Sequence, residues 1–139
     1  MTVRAPAKIN LFLRITGRRA DGYHTLYSLM CPVSLYDTLT FDFGMSELSV
    51  SCSHPDVPQD ATNLAVIAAR RFFEAAFDGR LPPSGGVHIH IRKRIPVGAG
   101  LGGGSANAAA LSAKRTYDAC VASALGPMNS MLHARHISA

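Results

Sequence analysis

Apolar and polar positions alternate over residues 3–16. Ile9, Leu11, Leu13 and Ile15 point one way, and Lys8, Asn10, Phe12 and Arg14 the other, the period of a half-buried strand. On that pattern Lys8 and Asn10 share a face. Turn formers crowd residues 17–22, and residues 24–43 read again as extended chain, interrupted at Pro32 and at Tyr36-Asp37. A short strand is expected over residues 48–53, then a loop over 54–60 that contains Pro55 and Pro58. There the period lengthens: Leu64, Ile67, Ala68, Phe72 and Ala75 recur at helical spacing, with Thr62 or Asn63 placed to cap the helix and Gly79 to end it. Residues 80–86 form a Pro/Gly/Ser linker. Strict alternation returns at Val87 and predicts a strand to about Ile95, where Pro96 stops it. A glycine run over 98–104 then opens into a helix that begins at Ser105 and is expected to persist to Leu125. A run of strands before the first helix, with no internal repeat, predicts an α+β domain rather than a doubly wound parallel sheet.

The 139 residues, 47% hydrophobic, are enough for one modest core. A net charge of +5 favours anionic partners, among which nucleotides, phosphorylated metabolites, RNA and acidic membranes are equally served. The charge is scattered in short clusters, Arg18-Arg19, Arg70-Arg71, Arg92-Lys93-Arg94 and Lys114-Arg115, each of which reads as a solvated edge. Cys31, Cys52 and Cys120 are widely spaced and odd in number, which fits a reducing cytosol better than a disulfide framework or a zinc knuckle. No apolar run is long enough to cross a bilayer, and Arg4, Lys8 and Asn10 interrupt what a signal peptide would need, so a cytoplasmic protein is expected. His88 and His90 lie two apart on one strand face without a third ligand nearby, which reads as a solvated face rather than a metal site.

The chemistry concentrates in Pro96-Val97-Gly98-Ala99-Gly100-Leu101-Gly102-Gly103-Gly104-Ser105, between a strand end and a helix start. Glycines there allow positive φ and close approach of a ligand, and the helix N-terminus adds unpaired donors and partial positive charge, so an anion site is expected. No lysine lies between Pro96 and Lys114, which excludes a Walker A loop. Gly98, Gly100 and Gly103 satisfy G-x-G-x-x-G, with Asp118 about 20 residues on. That dinucleotide reading is weak, because Asp118 falls in a helical segment instead of closing a second strand.

The run from Pro96 to Ser105, followed by Asn107-Ala108-Ala109, resembles the ATP-phosphate motif of the superfamily of galactokinase, homoserine kinase, mevalonate kinase and phosphomevalonate kinase (the GHMP kinases). Ala5-Pro6-Ala7-Lys8-Ile9-Asn10-Leu11 and Asp21-Gly22-Tyr23-His24-Thr25-Leu26 narrow the resemblance to the 4-diphosphocytidyl-2-C-methyl-D-erythritol kinase family, with Asn63-Leu64 and Lys93-Arg94-Ile95-Pro96 in family order between them and the loop. The resemblance implies ATP and Mg²⁺, with transfer of the γ-phosphoryl group to a hydroxyl of the cytidyl diphosphate of methylerythritol, a step of non-mevalonate isoprenoid biosynthesis. It implies a ribosomal-protein-S5-domain-2-like α+β N-terminal domain over residues 1–110. Pro96, Gly98, Gly100, Leu101, Gly102, Gly103, Gly104 and Ser105 would then hold ATP. Lys8 would stand beside the acceptor hydroxyl and meet the charge that develops on it. Asn10 would position the substrate, Tyr23 would stack on the cytosine, and His24 would bond its edge. Ser105 is also expected as the helix N-cap.

Two departures accompany the resemblance. Ala106 stands where a second serine is expected, removing one hydroxyl from the phosphate site. From about residue 111 no family motif is found: the Gly-Ala-Asp-Val-Pro-type segment with the catalytic aspartate is missing, and residues 111–139 read as a divergent tail after a frame change or an early end. On this reading the kinase is truncated and its activity doubtful. The apolar surface that should face a second domain is exposed and available for self-association. The alternative is a small basic S5-like module that binds nucleic acid without catalysis. It ranks lower because only Phe12 and Tyr23 lie near the basic positions as stacking aromatics, so neither nucleic acid nor membrane is expected as a partner.

Overall fold

The computed structural model describes residues 1–78, 80 and 85–111. The elements run β1 (Thr2–Arg18), β2 (His24–Met45), β3 (Ser49–Cys52), α1 (Leu64–Phe77), β4 (Gly86–Arg92) and α2 (Gly103–Leu111). The strands form one sheet in the order β1-β2-β4-β3, with β1/β2 and β2/β4 antiparallel and β3/β4 parallel. A parallel pair needs a crossover, and α1 supplies it. The expected tail and the helix beyond residue 111, like Gly79, lie outside the described residues.

Alternation in β2 and β4 builds the core. Leu39 faces Ile91, Phe41 faces Ile89 and Phe43 faces Val87, and all point to the side where both helices lie. Ala65, Val66, Ala69 and Phe73 of α1 and Ala110 and Leu111 of α2 close that layer. The other face is polar. There His88 Nδ1 lies 2.9 Å from Ser49 Oγ, and Ser51 Oγ bridges His88 Nε2 at 2.8 Å and His90 Nδ1 at 2.9 Å. The two histidines are thus engaged by the hydroxyls of the neighbouring parallel strand.

The buried face of α1 is turned by one residue from the face expected. Leu64 and Ile67 remain exposed, while Ala65, Val66, Ala69 and Phe73 are buried against the sheet. Asn63 is the N-cap, accepting from Ala65 N at 2.9 Å and donating to Pro58 O at 2.6 Å. Asp78 in the left-handed region (φ 52°) ends the helix in the role expected of Gly79, its N–H bonded to Phe73 O.

Neither Pro32 nor Tyr36-Asp37 breaks β2, which runs through both. The β1/β2 register jumps between the pairs Pro6↔Tyr36 and Lys8↔Pro32, so the proline falls where the ladder is already irregular. A second shift between Asn10 and Phe12 overturns the single alternation expected for β1. Ser28, opposite Leu13, bonds Asn10 Oδ1, and Tyr27, opposite Arg14, stacks edge-on with Phe12. Leu13 and Ile15 therefore lie on the Asn10 face, and Phe12 and Arg14 on the face of Ile9. Lys8 and Asn10, before the bulge, keep the shared face expected of them. Beyond Asn10 the two strands form a ribbon exposed on both faces, carrying Leu11, Phe12, Leu13, Ile15, Leu26, Tyr27, Leu29 and Met30.

β4 ends at Arg92, short of the expected Ile95. The next three residues turn away because their N–H groups are bonded to side chains instead of a strand: Lys93 N donates to Ser53 Oγ, and Arg94 N and Ile95 N donate to Asp37.

Candidate functional site

The loop from Pro96 to Gly102 leaves this corner and delivers the chain into α2. Gly98, Gly100 and Gly102 have φ of 73°, 73° and 72°, and no residue between them has positive φ. Alternation of φ sign turns successive N–H groups toward one side, a concavity suited to an anion. Ala106 N donates to Gly102 O at 2.9 Å, the first bond of α2. The N–H groups of Gly103, Gly104 and Ser105 precede it and are left for a ligand at the positive end of the helix. Gly102, and not Ser105, therefore holds the cap position. Ser105 sits exposed in the first turn of α2.

Lys8 is bound into this loop. Its N–H, released by the register jump in the ribbon, donates to Leu101 O at 2.9 Å, and its side chain runs over Gly102. A Cβ on Gly102 would lie 3.1 Å from both Lys8 Cγ and Cε, so a residue other than glycine would push the lysine aside. Asn10, two residues on, shares the face and accepts from Ser28 Oγ at 3.3 Å. Tyr23 and His24 stand at the turn of the ribbon, ten residues along β1 and on the opposite strand from Lys8. Tyr23 is 75% exposed, its N–H bonded to Asp21 Oδ1, and no hydrogen bond joins either residue to the glycine loop. The structure thus brings Lys8 and the loop together, places Asn10 on the Lys8 face, and leaves Tyr23 and His24 apart.

A cleft of about 290 Å³ opens between the loop and the segment leading into α1. Val57, Pro58, Leu64 and Val97 form an apolar wall, and the donors of Gly103 and Gly104 stand at its end. This shape accepts a flat apolar group joined to an anion. Asp56 is the one carboxylate lining it among the described residues. Asn107 is buried at its base, with Oδ1 unpaired among the described residues.

Sequence reasoning missed two residues behind the loop. Lys93, taken as part of a solvated basic cluster, has a side chain only 6% exposed and bonds Asp37 Oδ2 at 2.7 Å. Asp37, taken as a break in the strand, is fully buried and accepts from Arg94 N and Ile95 N at 2.8 Å each. Burial pushes its carboxyl up, but the Lys93 and backbone hydrogen bonds and the Lys93 charge outweigh it and hold the group below its ordinary value of 3.8. The signal was present in β2, where Asp37 continues the inward series Phe43, Phe41, Leu39.

Comparison with known proteins gives a consistent outcome. The GHMP kinases N terminal domain matches residues 63–125, running past the point where the motif-by-motif resemblance stops. A 4-diphosphocytidyl-2-C-methyl-D-erythritol kinase of Prosthecochloris aestuarii is 49% identical over 109 residues, covering 78% of this chain and 36% of that protein. One of Gloeothece citriformis is 47% identical over 111 residues, 79% of this chain and 35% of its own length. A crystal structure of 4-(cytidine 5'-diphospho)-2C-methyl-D-erythritol kinase superposes with TM-score 0.59 and 44% identity, over 78% of this chain and 37% of that one. Homoserine kinase from Cytophaga hutchinsonii, 20% identical with TM-score 0.52 over 78% of this chain and 32% of its own, shares the fold. The chain spans little more than a third of the length of the curated relatives it matches.

Proposed function

Since this chain belongs with the N-terminal portion of the 4-diphosphocytidyl-2-C-methyl-D-erythritol kinases, within the GHMP kinase superfamily, we propose that it carries the ATP cradle and part of the acceptor site of such a kinase. The reaction is transfer of the γ-phosphoryl group of ATP to a hydroxyl of 4-diphosphocytidyl-2-C-methyl-D-erythritol, in non-mevalonate isoprenoid biosynthesis. The observation that carries this reading is the contact between Lys8 and the glycine loop, through Lys8 N to Leu101 O and the lysine stem over Gly102. It sets a cation beside the place where a terminal phosphate would lie.

The residues fit a nucleotide. The open N–H groups of Gly103, Gly104 and Ser105 meet phosphate oxygens, Pro96, Gly98, Gly100 and Leu101 hold the loop that presents them, and the apolar wall of the cleft receives the base. Lys8 stabilises the negative charge that moves onto the acceptor oxygen during transfer. Asn10 orients the acceptor, and Tyr23 and His24 receive the cytosine by stacking and by an edge hydrogen bond. Mg²⁺ bound with the triphosphate would neutralise phosphate charge, and the Ser105 hydroxyl in the first turn of α2 and Asp56 in the cleft lining are the side-chain oxygens proposed to hold it. No segment of the sequence matches the one that carries the family's catalytic aspartate, so the 139-residue polypeptide by itself is proposed to bind without turnover.

The family's fold is the ribosomal-protein-S5-domain-2-like α+β arrangement, and the mixed sheet with both helices on one face is compatible with it. Free Cys31 and Cys52, and the absence of a membrane-spanning helix among the described residues, support a cytoplasmic setting. The apolar ribbon supports self-association of the isolated chain. Titration calorimetry with ATP and Mg²⁺, beside a phosphotransfer assay with the cytidyl substrate, tests the reading. Saturable ATP binding without turnover is expected, and failure to bind any nucleoside triphosphate would reject it.

A further inference from the structure

Lys93 and Asp37 lie outside every role assigned above, yet together they satisfy the backbone groups of Arg94 and Ile95, from which the glycine loop departs, while Ser53 Oγ takes the Lys93 N–H. Asp37 Oδ1 takes the N–H groups of Arg94 and Ile95, and Asp37 Oδ2 takes the Lys93 ammonium. The same ammonium donates to Ile95 O at 2.7 Å. No strand reaches these backbone groups, so without the pair Arg94 N, Ile95 N and Ile95 O would lose the partners they have, the Ile95 N–H in a buried place.

The ammonium also reaches across to the far end of the loop. A Cβ on Gly103 would lie 2.7 Å from Lys93 Nζ and 3.1 Å from Ile95 Cγ2, so the first residue of α2 rests directly against the pair. Pro96, Val97, Gly98, Ala99 and Gly100, in between, are exposed, and no backbone bond ties them to the body of the fold. The loop is held only at its ends. Lys8 and the first bond of α2 hold the Leu101-Gly102 end, and Asp37 with Lys93 holds the Ile95 end while bracing Gly103.

A buried ion pair is weak evidence of stabilisation, because apolar residues of similar volume often do as well. What apolar residues cannot do is fix the direction of two N–H groups, one carbonyl and a helix start at once. We infer that Asp37 and Lys93 are positioning residues for the glycine loop, setting the spacing between Ile95 and Gly103 on which the aim of its N–H groups depends. The inference rests on the ATP-loop reading for its ligand. Lys93 lines the cleft beside the loop, but two of its three donors are committed and its side chain is only 6% exposed, which favours bracing over direct contact with a phosphate.

The test uses the 139-residue chain as Asp37→Asn, Lys93→Met and the double variant, with two readouts. Amide hydrogen exchange reports the loop without any ligand. The Lys8 and Ala106 amides, bonded to Leu101 and Gly102, should lose protection in all three variants by more than the β2–β4 ladder, whose own smaller loss reports the drop in global stability. Calorimetry should show ATP affinity falling about tenfold in each single variant and no further in the double, since contact partners act as one unit. Unchanged exchange at Lys8 and Ala106, or loss spread evenly over the sheet, overturns the inference. So does weakening by Lys93→Met alone, which would make Lys93 a direct ligand, or altered exchange with unaltered affinity. If the unsubstituted chain binds no ATP, the nucleotide reading falls, and the exchange pattern still decides whether the brace exists.

Discussion

Replacing Gly102 by alanine separates backbone strain from contact with Lys8. Gly98, Gly100 and Gly102 share almost the same φ, 73°, 73° and 72°. A side chain there costs about 1–2 kcal/mol through the clash of Cβ with backbone. A Cβ on Gly98 or Gly100 meets nothing within 4 Å, whereas on Gly102 it lies 3.1 Å from Lys8 Cγ and Cε. The lysine is flexible and can give way by a few tenths of an ångström, so the contact adds little to the stability loss. Urea unfolding should thus show all three alanine variants destabilised by the same ~1–2 kcal/mol. Affinity should differ, because the shifted lysine meets the phosphate less well. Weakening a charge-assisted contact worth about 1.5–3 kcal/mol, without removing it, predicts ATP binding severalfold weaker in Gly102→Ala than in Gly98→Ala by calorimetry. Equal affinities in those two variants, or no destabilisation in any of the three, would refute the reasoning.

Acid should act through Asp37. Its folded carboxyl titrates below its ordinary 3.8, so the stability it contributes is complete above that value and lost as pH falls through the lower, folded one. Urea midpoints should drop below about pH 4, and Asp37→Asn should be less stable by about 3–5 kcal/mol at pH 7, as expected for breaking a buried pair, with a flatter acid limb. At Gly86 a Cβ would run into the Glu47 carbonyl, so Gly86→Ala should distort the start of β4 and lower the thermal midpoint beyond the Gly98→Ala shift. Asn63→Ala removes the cap of α1 and its bond to Pro58 O, and should cost about 1–2 kcal/mol in urea unfolding. Tyr23→Ala should abolish binding of cytidine nucleotides in fluorescence titration and leave ATP affinity unchanged. Loss of both would mean that Tyr23 acts through the fold.

The sequence by itself determined the element order, the place of the glycine loop, a cap at Thr62 or Asn63 and the shared face of Lys8 and Asn10, because each depends on neighbours within a few positions. Period, turn chemistry and motif order are local properties. Tertiary structure decided the rest. Which face of α1 is buried depended on which side meets the sheet core of Leu39, Phe41 and Ile89, a choice between two apolar faces that the helical period alone leaves open. The swap of faces beyond Asn10 came from a bulge that only strand pairing shows, and the same irregular pairing freed the Lys8 N–H for Leu101. Asp37 and Lys93 looked like a strand break and a surface cation because a charge is read as solvated until a partner is in view. Theirs lies 56 residues away in the chain and 2.7 Å away in space. Electrostatic partners and backbone groups left over from the sheet are matched only when distant segments meet, so the corner that aims the loop could not be read from either segment alone.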